Sequence, residues 1–170
     1  QVYALAADGA GGIWVGTTSG LGHLSFGPHG EPSARVWKRD AGLAANWVWA
    51  LLRSRRGELW VGTEEGLSRL LPSGRFESLR TADGLAGDYV VSLYEERSGA
   101  LWVGSIDGLS RLRFDATGAR SEIRVFTAAD GLARQRAYAI AADAAGRVFV
   151  AHGEALSYRD GERFSAVGAD

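Results

Sequence analysis

The chain has 170 residues and a mass of 18.1 kDa, which is enough for one domain with a hydrophobic core. Its 19 basic and 20 acidic residues give a formal net charge of −1, so no overall charge attracts it to nucleic acid or to an anionic membrane. The absence of cysteine excludes disulfides and thiolate metal sites, and no apolar run approaches the ~18–20 residues that cross a bilayer.

Four copies of one unit follow one another along the chain. The tripeptide Trp-Val-Gly begins at Trp14, Trp60 and Trp102, and a diverged copy begins at Phe149, at spacings of 46, 42 and 47 residues. Each of these aromatic residues has a glycine three residues before it and a leucine seven residues after it. A period of about 40–45 residues is typical of repeat architectures built from one supersecondary unit.

Each copy predicts four short strands in the same order. The first is an apolar run at residues 2–5, 48–51, 90–93 and 137–140. The second carries Trp-Val-Gly, the third begins at the leucine, and the fourth precedes a Gly-Leu corner that leads into the next copy. Glycine, aspartate, proline and serine occupy the joints, as they do in tight turns. No segment has a sustained 3.6-residue period, so we expect little helix.

A four-stranded unit of this length is typical of a β-propeller blade. The first strand is apolar on both faces, which predicts that it lies near the propeller axis between neighbouring blades. The predicted fold is therefore all-β, with four blades of four antiparallel strands at about residues 1–42, 43–84, 85–131 and 132–170. A β-solenoid is the alternative architecture.

The segment from Gly57 to Leu85, with its phrase Gly-x-Leu-Trp-Val-Gly-Thr-x-x-Gly-Leu-Ser-Arg-Leu, resembles the two-component regulator propeller repeat. The fourth copy departs from that motif at Phe149, Ala151 and Ala155. The resemblance implies a segment of a seven- or eight-bladed propeller in the extracytoplasmic, periplasmic sensor region of a bacterial histidine kinase, hybrid receptor or diguanylate cyclase. The absence of methionine agrees with a piece of a longer polypeptide.

The corner-side face, defined as the end of the blades that carries the inter-blade corners and the second-to-third turns, is the predicted ligand site. Copies of the repeat differ from one another there, and propeller ligands usually meet loops around the channel mouth. Its aromatic side chains could stack on a sugar, and its polar ones could hydrogen-bond hydroxyls or a carboxylate. The alternative is that they are ordinary turn residues. The candidates are Asn46, Trp47, Glu64, Asp88, Tyr89, Asp107, Gln135, Arg136 and His152.

Other conspicuous residues are better explained by structure than by chemistry. The repeated tryptophans keep one phase within a strand, which predicts packing between blades. A single aspartate at each Gly-Leu corner is expected to form a turn, because a calcium loop needs several closely spaced oxygens. No metal or cofactor is predicted, and no catalytic motif is present. Core positions are also predicted for the first-strand aromatics Tyr3, Trp49 and Tyr138.

The function predicted from these features is a non-catalytic, ligand-sensing segment of a bacterial two-component receptor. An oligosaccharide or another small ligand would bind the corner-side face. Its binding, or a change of packing in a homodimer, would be passed through the remaining blades to signalling domains of the same polypeptide. Two alternatives stay open: a propeller used only for protein–protein assembly, and part of a propeller lyase or hydrolase.

Overall fold

The protein folds into four antiparallel sheets of four strands, in a computed structural model that describes residues 1–167. Strands in each sheet are hydrogen-bonded in sequence order. Blade 1 contains β1 (Val2–Ala7), β2 (Ile13–Thr17), β3 (Gly20–Phe26) and β4 (Pro32–Trp37). Blade 2 contains β5 (Val48–Arg53), β6 (Leu59–Thr63), β7 (Gly66–Leu70) and β8 (Phe76–Leu79).

The other two sheets repeat this arrangement. Blade 3 contains β9 (Val90–Glu95), β10 (Leu101–Ser105), β11 (Leu109–Phe114) and β12 (Arg120–Phe126). Blade 4 contains β13 (Ala139–Ala142), β14 (Val148–Ala151), β15 (Leu156–Asp160) and β16 (Arg163–Val167). The predicted all-β propeller fold is confirmed, and the end of the fourth predicted blade, at residues 168–170, lies outside the described residues.

The corners between blades begin with short 3-10 turns, at Arg39–Ala41, Thr81–Asp83 and Ala128–Asp130. The glycine after each turn has φ between 93° and 103°, a left-handed conformation that favours glycine. The corner aspartates act as predicted: Asp83 and Asp130 each accept a hydrogen bond at 2.9 Å from the backbone N–H three residues earlier. That bond, donated by Thr127, lowers the pKa of Asp130.

Apolar clusters fill the space between consecutive blades. The innermost strands contact one another in succession, β1 with β5, β5 with β9, and β9 with β13. Trp60 and Trp102 are 2% and 0% exposed, in the clusters that join blade 2 to blade 3 and blade 3 to blade 4. Trp14 packs, half-buried, against the cluster between blades 1 and 2. The prediction that these tryptophans pack between blades is confirmed.

The glycine of Trp-Val-Gly lets the innermost strand of the next blade come close. A Cβ at Gly16 would lie 2.7 Å from Val48 Cγ1, and one at Gly62 would lie 2.8 Å from Val90 Cγ1. Both separations are too short for a side chain to fit without movement of the neighbouring strand. The fourth copy carries Ala151 at this position, on a face against which no blade within residues 1–167 packs.

Blades 1 and 4 each present one face that no other described blade covers. The prediction that the first strand is buried on both faces holds for β5 and β9 but is wrong for β1 and β13. Leu5 is 59% exposed, whereas the equivalent residue Leu51 packs against the cluster between blades 1 and 2. Tyr3 and Tyr138, predicted as core, are 41% and 44% exposed. Trp49 is half-buried.

In blades 2, 3 and 4, a serine in the third strand accepts a hydrogen bond from the corner that precedes the same blade. Ser110 Oγ accepts a 2.9 Å hydrogen bond from the Ala86 backbone N–H and is 1% exposed. Equivalent bonds join Ala44 to Ser68 and Ala133 to Ser157, each at 3.0 Å. The serine of the Gly-Leu-Ser-Arg-Leu motif is therefore a structural residue.

We expect Ser110→Ala to lower the free energy of unfolding by about 1–2 kcal/mol, because it leaves the partly buried Ala86 N–H without its acceptor. Urea denaturation monitored by tryptophan fluorescence measures the effect. The matched control is Ser165→Ala, an exposed strand serine whose removal should change stability by less than about 0.5 kcal/mol. Equal effects of the two variants would contradict the stabilising role of the Ser110 hydrogen bond.

Candidate functional site

The predicted ligand residues fall into two groups on the corner-side face. The first group surrounds four aromatic side chains, here called the aromatic cluster: Tyr3, Trp47, Trp49 and Tyr89. The rings of Trp47 and Trp49 are stacked, with centroids 5.1 Å apart and an interplanar angle of 15°. Tyr3 lies 4.5 Å from Trp49, and Tyr89 lies 5.5 Å from it. The cluster thus joins blades 1, 2 and 3.

Strand irregularities position two members of this cluster. The pairing of β1 with β2 shifts register between Val2 and Ala4, and that of β5 with β6 shifts between Val48 and Ala50. A bulge re-aims the extra residue out of the regular alternation of faces. Tyr3 and Trp49 occupy these bulges, and their rings contact each other across the boundary between blades 1 and 2. Regular strand alternation, which the sequence predicts, would place both residues in the core.

Glu64 borders the aromatic cluster. Its backbone N–H donates to the Trp47 carbonyl over 3.2 Å, so the β6–β7 turn is attached to the corner that carries the tryptophan. Burial raises the pKa of the Tyr89 hydroxyl, and the negative charge of Glu64 raises it further. Tyr89 therefore remains a neutral hydrogen-bonding group at physiological pH.

The second group lines a cavity of about 580 Å³ between blades 3 and 4, here called the corner-side pocket. It contains four of the predicted residues: Asp107, Gln135, Arg136 and His152. The backbone links it to the aromatic cluster, because the N–H of Ile106, which lines the pocket, donates to the Tyr89 carbonyl at 3.2 Å. Sequence reasoning missed three other polar lining residues: Arg134, Tyr138 and Glu154.

Arg136 is the best-placed charged group in the corner-side pocket. Its Nη1 donates to the Tyr138 hydroxyl over 3.2 Å. That bond raises the pKa of Arg136, as does the negative charge of Asp107, so the guanidinium stays charged. Its side chain is exposed to solvent, as are those of Asp107 and Gln135. This arrangement can hydrogen-bond hydroxyls or a carboxylate of a ligand.

His152 is a buried residue that holds the backbone of Arg136 in place. It is 6% exposed, with Nδ1 2.7 Å from the Arg136 carbonyl and Nε2 2.9 Å from Ser157 Oγ. A carbonyl only accepts, so Nδ1 is the donor to Arg136, and Nε2 shares a hydrogen bond with the serine hydroxyl. The imidazole therefore positions the backbone of Arg136, and both of its nitrogens are used in doing so.

Asn46 and Asp88 are engaged in the corners. Asn46 Oδ1 accepts from the Arg39 backbone N–H at 2.9 Å, and Asp88 Oδ1 accepts from that of Thr81 at 2.7 Å. In each case the side chain closes the corner by binding the first residue of the 3-10 turn. These two polar residues after the Gly-Leu corner therefore have a structural role, as the alternative interpretation of ordinary turn residues expects.

The fold and the repeated corners define the protein as a four-bladed segment of a β-propeller. Residues 42–65 and 84–107 match the family model of the two component regulator propeller, so these segments carry the repeat of that family, as their motif predicted. A comparison with the sequences of curated proteins finds no match. Among residues 1–167, no helix has the length and apolar character needed to span a membrane.

Solved structures support the same architecture. An extracellular domain assigned to the hybrid two component system BT3049 of B. thetaiotaomicron superimposes with a TM-score of 0.85 at 19% identity, over 98% of this chain and 23% of that domain. The corresponding domain of BT4673 gives 0.79 at 17% identity, over 98% and 25%. Virginiamycin B lyase from Staphylococcus aureus gives 0.66 at 16% identity, over 97% and 54%. The chain thus spans about a quarter of the two extracellular domains.

Proposed function

We propose that the protein is a ligand-sensing segment in the extracytoplasmic, periplasmic part of a bacterial two-component receptor. Two component regulator propeller repeats support this proposal, as does the likeness to extracellular domains of hybrid two component systems. The segment itself is non-catalytic in this proposal. Signalling chemistry would belong to other domains of the receptor.

The observation that carries the proposal is the continuity of the aromatic cluster with the corner-side pocket. Stacked indole rings offer a flat apolar surface, and the neighbouring pocket offers a guanidinium, a carboxylate and an amide. Sugars combine apolar C–H faces with hydroxyl groups, so an oligosaccharide fits both parts. We propose that its rings stack on Trp47 or Trp49 and that its hydroxyls or an acidic group reach Arg136.

Such a ligand would contact the corners of several blades at once. The aromatic cluster takes residues from blades 1, 2 and 3, and the corner-side pocket lies between blades 3 and 4. Binding would therefore favour one relative arrangement of the blades. A ligand shifts a conformational equilibrium only through its different affinity for the two states, and contacts that cross blade boundaries supply such a difference.

The test is a binding titration of the receptor's extracytoplasmic region with malto-, cello-, xylo- and galacturono-oligosaccharides of four to six units. For the oligosaccharide that binds, we expect Trp49→Ala and Arg136→Ala each to weaken affinity about tenfold or more. The matched control is Arg75→Ala, which removes an exposed arginine in the turn between β7 and β8. Unchanged affinity in both site variants would contradict the proposed site.

The two alternatives predict other results. A propeller that serves only in assembly would bind no member of the panel. A propeller lyase or hydrolase would change the mass of an oligosaccharide during incubation, which mass spectrometry of the recovered ligand detects. Recovery of intact ligand together with saturable binding distinguishes the sensor from both.

A further inference from the structure

A second polar cavity lies at the opposite end of blade 3 from the corners. It has a volume of about 350 Å³ and is here called the arginine pocket. Glu96 and Ser98, in the turn between β9 and β10, form part of its wall, and Ala100 lies beside them. Its cationic residues are Arg56, Arg111, Arg113 and Arg159.

Arg111 is buried in the wall of this pocket, with 3% of its side chain exposed. Its guanidinium carbon lies 5.6 Å from the ring centroids of both Trp102 and Phe126. One polar contact reaches it, from Nη2 to Glu162 Oε2 at 3.5 Å, and its buried Nε has no hydrogen-bond partner among the described residues. A buried cation with so few partners is costly unless something else neutralises it.

The nearby carboxylates are already used by other groups. Glu96 Oε1 accepts from Trp102 Nε1 at 2.7 Å and from Arg159 Nη1 at 3.1 Å, and its Oε2 accepts from the Ser98 hydroxyl at 2.8 Å. Glu162 is 56% exposed and also binds Arg124 and Arg159. Glu122 pairs with Arg113 at 3.5 Å. The four arginines of the pocket thus share three carboxylates, one of which also binds Arg124, so positive charge at the pocket is in excess. Burial lowers the pKa of Arg111, as do the charges of Arg159 and Arg113.

Blade 2 has a counter-ion for its motif arginine that blade 3 lacks. Its equivalent arginine, Arg69, forms an ion pair with Glu58, which precedes Trp60 by two residues. In blade 3 the residue two before Trp102 is Ala100, which lines the arginine pocket. The pocket therefore opens where blade 2 places its own counter-ion.

We propose that the arginine pocket binds a small oxyanion group, a carboxylate, phosphate or sulfate, which occupies the place that Glu58 takes in blade 2. Guanidinium groups bind such anions through paired, charge-assisted hydrogen bonds. The site is distinct from the corner-side pocket, because it lies at the other end of the blade. With a volume of about 350 Å³, it also accommodates an organic molecule that carries the anion.

The experiment is isothermal titration of the purified protein, in a low-chloride buffer, with inorganic phosphate, sulfate, acetate and glucuronate in separate arms. Saturable binding of at least one anion is expected, and the arm with the highest affinity identifies the oxyanion. Ala100→Glu should weaken binding tenfold or more, because it restores the counter-ion of blade 2. Glu162→Gln should strengthen binding severalfold, because it removes a competitor for Arg111. No saturable binding of any of the four anions would overturn the proposal.

Two arginine variants complete the test. Arg113→Gln, at a half-exposed residue, should weaken binding severalfold without loss of folding. The matched control is Arg35→Gln, which removes a guanidinium 4.6 Å from the Trp37 ring in blade 1 and should leave affinity unchanged. Equal losses in these two variants would mean nonspecific charge attraction and would overturn the proposal. In NMR spectra, the Arg111 Nε–H resonance should shift on anion addition; an unshifted resonance with binding present would overturn it too.

Discussion

Replacement of Trp102 by alanine is expected to lower the free energy of unfolding by about 3–5 kcal/mol, the range for removing a large aromatic from a core. Its indole is 0% exposed and lies against Phe126 and Phe164, with ring centroids 5.1 and 5.9 Å away. The guanidiniums of Arg111 and Arg159 lie over it at 5.6 and 5.4 Å. A cavity at the junction of blades 3 and 4 would therefore also loosen a charged network.

The repeat supplies a matched control at the same position of the fourth copy. Phe149 is half-buried, on the face of blade 4 that no described blade covers. We expect Phe149→Ala to cost about 1 kcal/mol, because much less surface returns to water. Urea denaturation of both variants measures the difference. Similar costs for the two substitutions would mean that the position contributes through its strand rather than through the blade junction.

Trp102→Phe separates packing from hydrogen bonding. It keeps most of the ring volume but removes the indole N–H, which donates to Glu96 Oε1 at 2.7 Å. The expected cost is about 1–3 kcal/mol, the usual penalty for a charged acceptor that loses a partner. A cost equal to that of the alanine variant would contradict the assignment of most of the stability to packing.

Repetition explains how much of the fold could be predicted from the sequence. Trp60, Gly62 and Leu67 keep one spacing in consecutive copies, because each touches the next blade in the same way. A residue that fills a repeated contact leaves a periodic signal. The four-stranded blades, the packing of the tryptophans and the turn-forming role of Asp83 and Asp130 were predictable for this reason.

The candidate site was less predictable, because its residues are the ones that break the pattern. Tyr3 and Trp49 lie at bulges, where a shift of one residue in the strand pairing changes the direction of a side chain. The sequence does not mark that shift. Arg111 occupies a motif position shared with Arg69, but it lacks the counter-ion of Arg69 because Ala100, in the turn before β10, stands where blade 2 has Glu58. Only the three-dimensional pairing of the strands brings these facts together.

The second large effect is expected from the uncovered face of blade 1. Leu5, Phe26 and Val36 are 59%, 55% and 60% exposed there, and Leu5 and Val36 lie in one cross-strand row with Val15 and Gly22. In blade 2 the same face is buried against blade 1. Exposed apolar faces of this kind drive association. We therefore expect the 170-residue chain to self-associate at micromolar concentration in sedimentation velocity experiments.

The double variant Leu5→Lys, Val36→Lys should shift this equilibrium to monomer, since two charges would have to be buried without partners at the interface. The matched control, Ala116→Lys with Thr117→Lys, adds the same charge at an exposed turn of blade 3 and should leave association unchanged. Equal dissociation by both variants would point to net charge rather than to this face. A compact monomer of the unaltered chain at every concentration would contradict the expectation.

Blade 4 offers the complementary face. Its Phe149 and Leu156 occupy the positions of Trp60 and Leu67, which blade 2 buries against blade 3. Blade 1 of one copy can therefore meet blade 4 of another as consecutive blades meet within the chain.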